Sequence, residues 1–198
     1  MAERTMGFTH PWPAVAKLRE NNARQGFLEP ADIARIRKGL TPIQSDIVEV
    51  CAETGWRRGE GMGLTWAEVD GDTIRLLPER TKTRDGRMFP MTAPLRAVLE
   101  RRRALQSGPL VFNHGGRPLR HFTEAWRRAC AAAGKPGARI HDLRRSAARR
   151  LERSGVPRSV MMRLVGWRTE AMLTRYCIVA ESDLRVALER IQEVGQDA

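Results

Sequence analysis

The sequence predicts an α+β domain, mostly helical, with one small antiparallel sheet of about three strands. Three observations carry this. Apolar residues recur at helical spacing through most of the 198-residue chain, in segments opened by capping residues and closed by glycine. From Trp66 to Met91 the texture changes to short β-forming runs broken by Asp70-Gly71 and Asp85-Gly86, and Asp-Gly between such runs signals a hairpin. No internal repeat or low-complexity tract intervenes, and 198 residues are enough for a single buried core.

Residues 1–27, with Pro11, Pro13, Gly26 and mixed charge, read as a tether, and residues 28–180 as the folded body. A short helix is expected in EPADIARIRKGL, closed by Gly39. In TPIQSDIVEVCAETG, Thr41 and Gln44 make a capping box with Pro42 at the first helical position. Ile43, Ile47, Val50 and Cys51 then share one face, and Gly55 supplies the stop. After the small sheet, helices are expected over Ala93 to Ser107, Phe122 to Ala133, Asp142 to Ser154, Arg158 to Val165 and Glu170 to Cys177. A final helix over Ser182 to Val194, within the 181–198 segment, places Leu184, Leu188, Ile191 and Val194 on one stripe. On amphipathicity alone that stripe suits docking on its own body or on a neighbour equally well.

The charge balance points to a polyanionic partner. Lys plus Arg number 35 against 23 Asp plus Glu, a net charge of +12, and neutralising each phosphate would release a condensed counterion. Lysine occurs only at Lys17, Lys38, Lys82 and Lys135. Codon bias of a GC-rich genome explains the preference for arginine but not the net charge. Cys51, Cys130 and Cys177 form no CxxC pair or metal-ligand spacing and read as reduced thiols. The opening MAERTMGFTHPW lacks the apolar stretch of a signal peptide, and no apolar run approaches the roughly 20 residues of a membrane span. A soluble intracellular protein is expected.

Four stretches can carry chemistry. In ETGWRRGEGMGLTW, Arg57 opens a helical turn with Glu60 one turn along, a device for fixing a guanidinium; alone it would read as a surface ion pair. In RTKTRDGR, Lys82 precedes Asp85-Gly86 and is expected at a hairpin tip, with threonines and arginines beside it that suit phosphate contacts. In IHDLRRSAARR, His141 and Arg144 lie three apart on one helical face, where both can reach one phosphate. An HD metal phosphohydrolase would need further ligands, which His10, His114 and His121 do not supply. In VGWRTEAMLTRYCIV stands the only tyrosine, Tyr176; a phenol needs cationic neighbours or a base to be a nucleophile at neutral pH.

The order Arg…Lys…His-x-x-Arg…Trp…Tyr resembles the catalytic domain of the tyrosine recombinases, or phage integrases. The T-G-x-R-x-x-E box stands as Thr54, Gly55, Arg57 and Glu60, followed by Gly63, Leu64 and Trp66. T-K-T carries Lys82, H-x-x-R is His141 and Arg144, and the closing box is Gly166, Trp167 and Tyr176. The resemblance runs from about Phe27 to Leu188, and five boxes in order are specific where each alone is weak.

The resemblance implies that Tyr176 attacks a DNA phosphodiester, leaving a 3′-phosphotyrosine and a free 5′-hydroxyl. Arg57 and Arg144 would grip the non-bridging oxygens, Lys82 would protonate the departing 5′-oxygen, and His141 would help to take the tyrosine proton. Glu60 would orient Arg57 or its neighbours, and Trp167 would serve in packing and hydrogen bonding where many relatives carry histidine. Arg58, Thr81, Arg84 and Arg145 are the candidate DNA contacts beside these boxes. The implied partners are double-stranded DNA and further copies of the chain, as a tetrameric synapse on DNA or a monomer alone. No metal, nucleotide cofactor or membrane is implied, and the expected location is the cytoplasm, at the nucleoid.

Relatives usually carry an N-terminal DNA-clamping domain, whereas here a short tether precedes the body. An excised fragment and a protein gripping DNA from one side both fit that length. Two other functions stay open from sequence: type IB topoisomerase-like activity, and a non-catalytic DNA-binding module.

Overall fold

A computed structural model describes residues 26–81 and 84–176, together with Arg185 and Leu188. Most of the expected tether, Lys82, Cys177 and nearly all of the expected final helix lie outside the described residues.

Helix α1 (Pro30–Lys38) and α2 (Pro42–Thr54) begin where proline can occupy a first turn whose N–H would be unpaired anyway. The Thr41 N–H donates to Gln44 Oε1 at 3.2 Å, one half of the expected capping box. Gly55 ends α2 at φ +66°, a left-handed conformation that glycine adopts without a Cβ penalty. A Cβ there would also press on Ala147 and Val165 at 3.0 and 3.1 Å. That turn sends the chain through buried Trp56 into α3 (Arg58–Met62), capped by Arg57.

Strands β1 (Val69–Asp70), β2 (Thr73–Leu76) and β3 (Arg87–Pro90) form the antiparallel sheet in the order β1-β2-β3. Asp70 pairs with Thr73 across a tight turn at Gly71, whose φ is +52°. The second connection departs from expectation. Asp85-Gly86 is not a hairpin turn, because Pro78 starts a 3-10 turn (Pro78–Arg80) that takes the chain out of the ladder after Leu76. Gly86 instead leads into β3 and allows close packing on Pro78, whose Cδ would lie 3.2 Å from a Cβ there. The positive φ of this segment, +53°, belongs to Arg84.

Helix α4 (Ala93–Arg103) is tied to α2 by buried Asp46, whose carboxylate accepts Arg101 Nη2 at 2.7 Å and pairs ionically with Arg102 Nε at 2.7 Å. A second hairpin, β4 (Asn113–His114) with β5 (Arg117–Pro118), was not foreseen. It turns on Gly115 and Gly116, both at positive φ, as hairpin turns require. Helices α5 (Thr123–Ala132), α6 (Asp142–Arg153), α7 (Arg158–Val165) and α8 (Glu170–Thr174) complete the described fold. The last stops short of the expected Cys177, so Tyr176 lies two residues past its end, its N–H on the Leu173 carbonyl at 2.8 Å.

The apolar residues divide into a main core, from Leu28 to Leu143, and a smaller cluster of Ala148, Met161, Val165, Trp167 and Leu173. Helix α6 spans both, with Leu143 in the first and Ala148 in the second. The main core carries Arg57 and Glu60 on its edge; the smaller one carries Tyr176, and α6 fixes their relation. Cys51 and Cys130 are free and buried, and burial pushes their thiol pKa values up to about 12 and about 11. Among the described residues no helix is long and apolar enough to cross a membrane. Of the expected C-terminal stripe only Leu188 is described, helical and 62% exposed.

Candidate active site

Glu60, 4% exposed, organises the first half of the site. Its Oε2 accepts the Arg57 backbone N–H at 2.9 Å, and its Oε1 accepts Arg57 Nη1 at 3.1 Å. Backbone and side chain of Arg57 are therefore held by one carboxylate, and the guanidinium stays about a quarter exposed.

Arg144 forms the second half. It projects from the first turn of α6 into the space between Gly55 and the end of α7. Its Nη1 donates to the carbonyls of Gly55 and Val165, each at 2.8 Å, and its Nη2 reaches the Gly166 carbonyl at 3.4 Å. Those carbonyls point inward because Gly55 and Gly166 end their helices in the left-handed conformation, at φ +66° and +78°. Among the described residues no carboxylate lies within ion-pair distance of this buried cation. Burial, followed by the like charge of Arg57, pulls its pKa down to about 10, which leaves it charged at neutral pH. A buried guanidinium without a carboxylate is a site prepared for an anion.

The nucleophile candidate meets the candidate base directly. His141 Nε2 lies 2.9 Å from Tyr176 Oη. His141 stands at the head of α6, and Asp142 Oδ2 accepts the Arg139 N–H at 2.8 Å to close the turn before it. Loss of solvent around His141 lowers its pKa below the usual 6.5; Arg144, Arg145 and Arg57 add to the effect and Asp142 opposes it. The shift favours the neutral ring, which has one nitrogen able to accept a proton. Trp167, 4% exposed, packs 5.2 Å from the Tyr176 ring, and the Arg144 guanidinium lies 4.8 Å from the indole. The indole N–H is buried with no acceptor among the described residues, so only the packing half of its expected role is visible.

The other candidates fall in different places. Lys82 is outside the described residues. Arg58 lines a cleft of about 480 Å³ that also borders His141, Arg127 and Arg139. Arg84 is exposed. Thr81 is not placed for DNA: it is 4% exposed, and its hydroxyl lies 3.1 and 3.0 Å from the carbonyls of Pro78 and Asp85, where it shapes the loop. Arg145 is mostly buried beside Tyr176, 6.0 Å from the ring, and 3.9 Å from Asp142.

One residue escaped the sequence reading. The side chain of Arg87 on β3 is buried, donating to Glu60 Oε1 at 2.7 Å and to the Val165 carbonyl at 2.5 Å. Burial lowers its pKa, with Glu60 opposing. A signal was present: in strand alternation Arg87 shares a face with buried Phe89.

The site thus offers a phenol touching a neutral imidazole, beside two fixed guanidiniums. It suits in-line attack on a tetrahedral oxyanion ester. Among the described residues no group of three or more His, Cys, Asp or Glu is placed to hold a metal ion.

The family model described as Phage integrase family matches residues 28–182. The chain is 26% identical over 208 residues to the integrase of Salmonella phage P22, covering 98% of this chain and 54% of that protein. It spans about half the length of this relative and of the integrase of Mycobacterium phage L5, which it also matches. Among solved structures, the catalytic domain of bacteriophage HP1 integrase aligns with a TM-score of 0.61 and 26% identity, over 84% of this chain and 95% of that one. XerA recombinase aligns with a TM-score of 0.67 at 21% identity, over 83% and 64%, a likeness of fold.

Proposed function

Because this chain belongs to the phage integrase family, we propose that it cleaves and rejoins double-stranded DNA in site-specific recombination, through a 3′-phosphotyrosine on Tyr176. The observation that carries this reading is the 2.9 Å contact between Tyr176 Oη and His141 Nε2, at the mouth of the Arg57 and Arg144 pair. The phenol oxygen attacks phosphorus and the strand's 5′-oxygen leaves. His141 takes the phenol proton, as its lowered pKa leaves it neutral and ready to accept. Arg57 and Arg144 hold the non-bridging oxygens as charge builds on them, an interaction strongest in the transition state. Lys82 protonates the leaving oxygen. Trp167 holds the Tyr176 ring in place by packing. One phosphodiester is exchanged for another, so the reverse attack by a 5′-hydroxyl of a different strand completes the exchange.

The net charge of +12 supports DNA as the partner, on which several copies would assemble as a synapse. Such chemistry belongs in the cytoplasm, at the nucleoid. The test is covalent capture. Nicked duplexes with a randomised core are incubated with the chain, and DNA that stays bound in detergent is recovered and sequenced. Wild type is expected to enrich a defined core and Tyr176→Phe to capture none. Equal capture by both would overturn the reading, and supercoil relaxation independent of a second site would redirect it to a topoisomerase.

A further inference from the structure

We propose that Arg87 is the positioning residue that couples the two phosphate-gripping arginines. The inference rests on the reading of the site just given. One end of the Arg87 guanidinium donates to Glu60 Oε1 at 2.7 Å, the oxygen that also accepts Arg57 Nη1 at 3.1 Å. The other end donates to the Val165 carbonyl at 2.5 Å, the oxygen that also accepts Arg144 Nη1 at 2.8 Å. Each gripping arginine is thus held by an acceptor whose second lone pair Arg87 occupies.

This matters because Arg57 and Arg144 repel each other, and the attraction of Glu60 for Arg144 offsets that repulsion only in part. Arg87 fixes the acceptors on both sides with one rigid planar fork, which a flexible ammonium cannot do. It sets the span between Glu60 on α3 and Val165 on α7, and therefore the width of the gap that a phosphate fills. The fold protects this arrangement. The Arg87 side chain is 5% exposed, and a β-carbon on Gly166 would overlap its guanidinium. Gly166 therefore has a second reason to be glycine beyond its positive φ: it leaves room for the brace.

The consequence is specific. Loss of the brace should loosen the grip on the two non-bridging oxygens while leaving the nucleophile and the remote DNA contacts as they are. Arg87→Lys keeps the charge and cannot bridge both acceptors. On the duplex captured by wild type, at saturating DNA, this variant is expected to form the phosphotyrosine about 10–100-fold more slowly, as removal of transition-state positioning does. DNA affinity, measured in the Tyr176→Phe background, is expected to stay within about threefold. The diagnostic arm uses the same duplex with a methylphosphonate at the scissile position, where one charged oxygen is replaced by methyl. There is then less charge to grip, and the penalty for Arg87→Lys is expected to shrink to about threefold or less.

If Arg87→Lys does not fold, judged by its melting curve, Arg87→Gln takes its place in the same comparison. An undiminished rate, or one lowered equally on both substrates, would overturn the inference while a wild-type adduct still stood. No adduct from wild type on any duplex would overturn the strand-cleavage reading, and this inference with it.

Discussion

His141 Nε2 and Tyr176 Oη stand 2.9 Å apart although the two residues are separated by 35 positions in the chain. The contact is made by α7. It packs on α6 and on α8, burying Met161 and Val165 with Ala148, Trp167 and Leu173, so that the head of one helix meets the end of another. Tyr176 is therefore placed by the smaller core, and His141 by the helix common to both cores.

From this contact follows the effect of removing the base. His141→Gln retains a hydrogen-bonding group near the phenol and cannot take its proton. The rate of phosphotyrosine formation is expected to fall about 10²–10⁴-fold, with DNA affinity little changed. Quench-flow capture on the selected duplex measures the first, and titration in the Tyr176→Phe background the second. A His141→Gln rate equal to wild type would remove His141 from proton transfer.

The same ring should give a pH signature without any DNA. Its folded pKa is below the unfolded 6.5, so below that pH the unfolded chain binds a proton that the folded chain resists. The stability this residue contributes is therefore complete above 6.5 and is lost as pH falls through 6.5 towards the folded value. Urea unfolding of wild type and His141→Gln between about pH 7 and 5 measures the difference, which should narrow steadily on acidification in the direction that favours the variant. A ring titration by NMR at or above 6.5 would contradict it.

Much of this site is legible in the sequence because its parts are local. Thr41 with Gln44, Gly55, Arg57 with Glu60, and His141 with Arg144 are each short-range patterns whose geometry follows from one helical turn. Arg87 and the Gly115-Gly116 hairpin were missed for opposite reasons. Gly-Gly is a turn signal, but the strands it joins are two residues each, too short to show alternation. The meaning of Arg87 depends on the β2–β3 register, which pairs it with Leu76, and on α7 crossing above it. Neither is local. Asp85-Gly86 misled because Pro78 breaks the ladder first, and Gly86 serves a close approach rather than a reversal.

Glu60 is the point where local and non-local parts meet, and its removal should show it. Two guanidiniums, Arg57 and Arg87, face its Oε1 in a site 4% exposed. Glu60→Ala leaves both without their carboxylate and is expected to cost about 3–5 kcal/mol of stability, as breaking a buried ion pair from one side does. Urea unfolding measures this. Glu60→Gln preserves shape and should cost less, so equal losses would mean that volume rather than charge is what Glu60 supplies.

The last prediction concerns the segment that leads to β3. Arg168 Nε and Nη2 reach the two carboxylate oxygens of Asp85 at 2.5 and 3.1 Å, linking that segment to the turn that carries Trp167. Both side chains are 55% exposed, so side-chain entropy and solvent screening leave the pair little influence on global stability. Its leverage is local, since one end lies on a loop between residues 77 and 86 that the strand ladder does not hold. Arg168→Gln should leave the melting temperature unchanged while trypsin cuts after Arg84 several-fold faster, because cleavage reports the open fraction of the loop and not the unfolding of the body. Raising the salt should speed the wild-type cut towards the variant's rate, as screening weakens the pair. If the two chains are cut alike at low salt, the loop is held by Thr81 and Pro78 packing instead, and Arg168 has no part in fixing it.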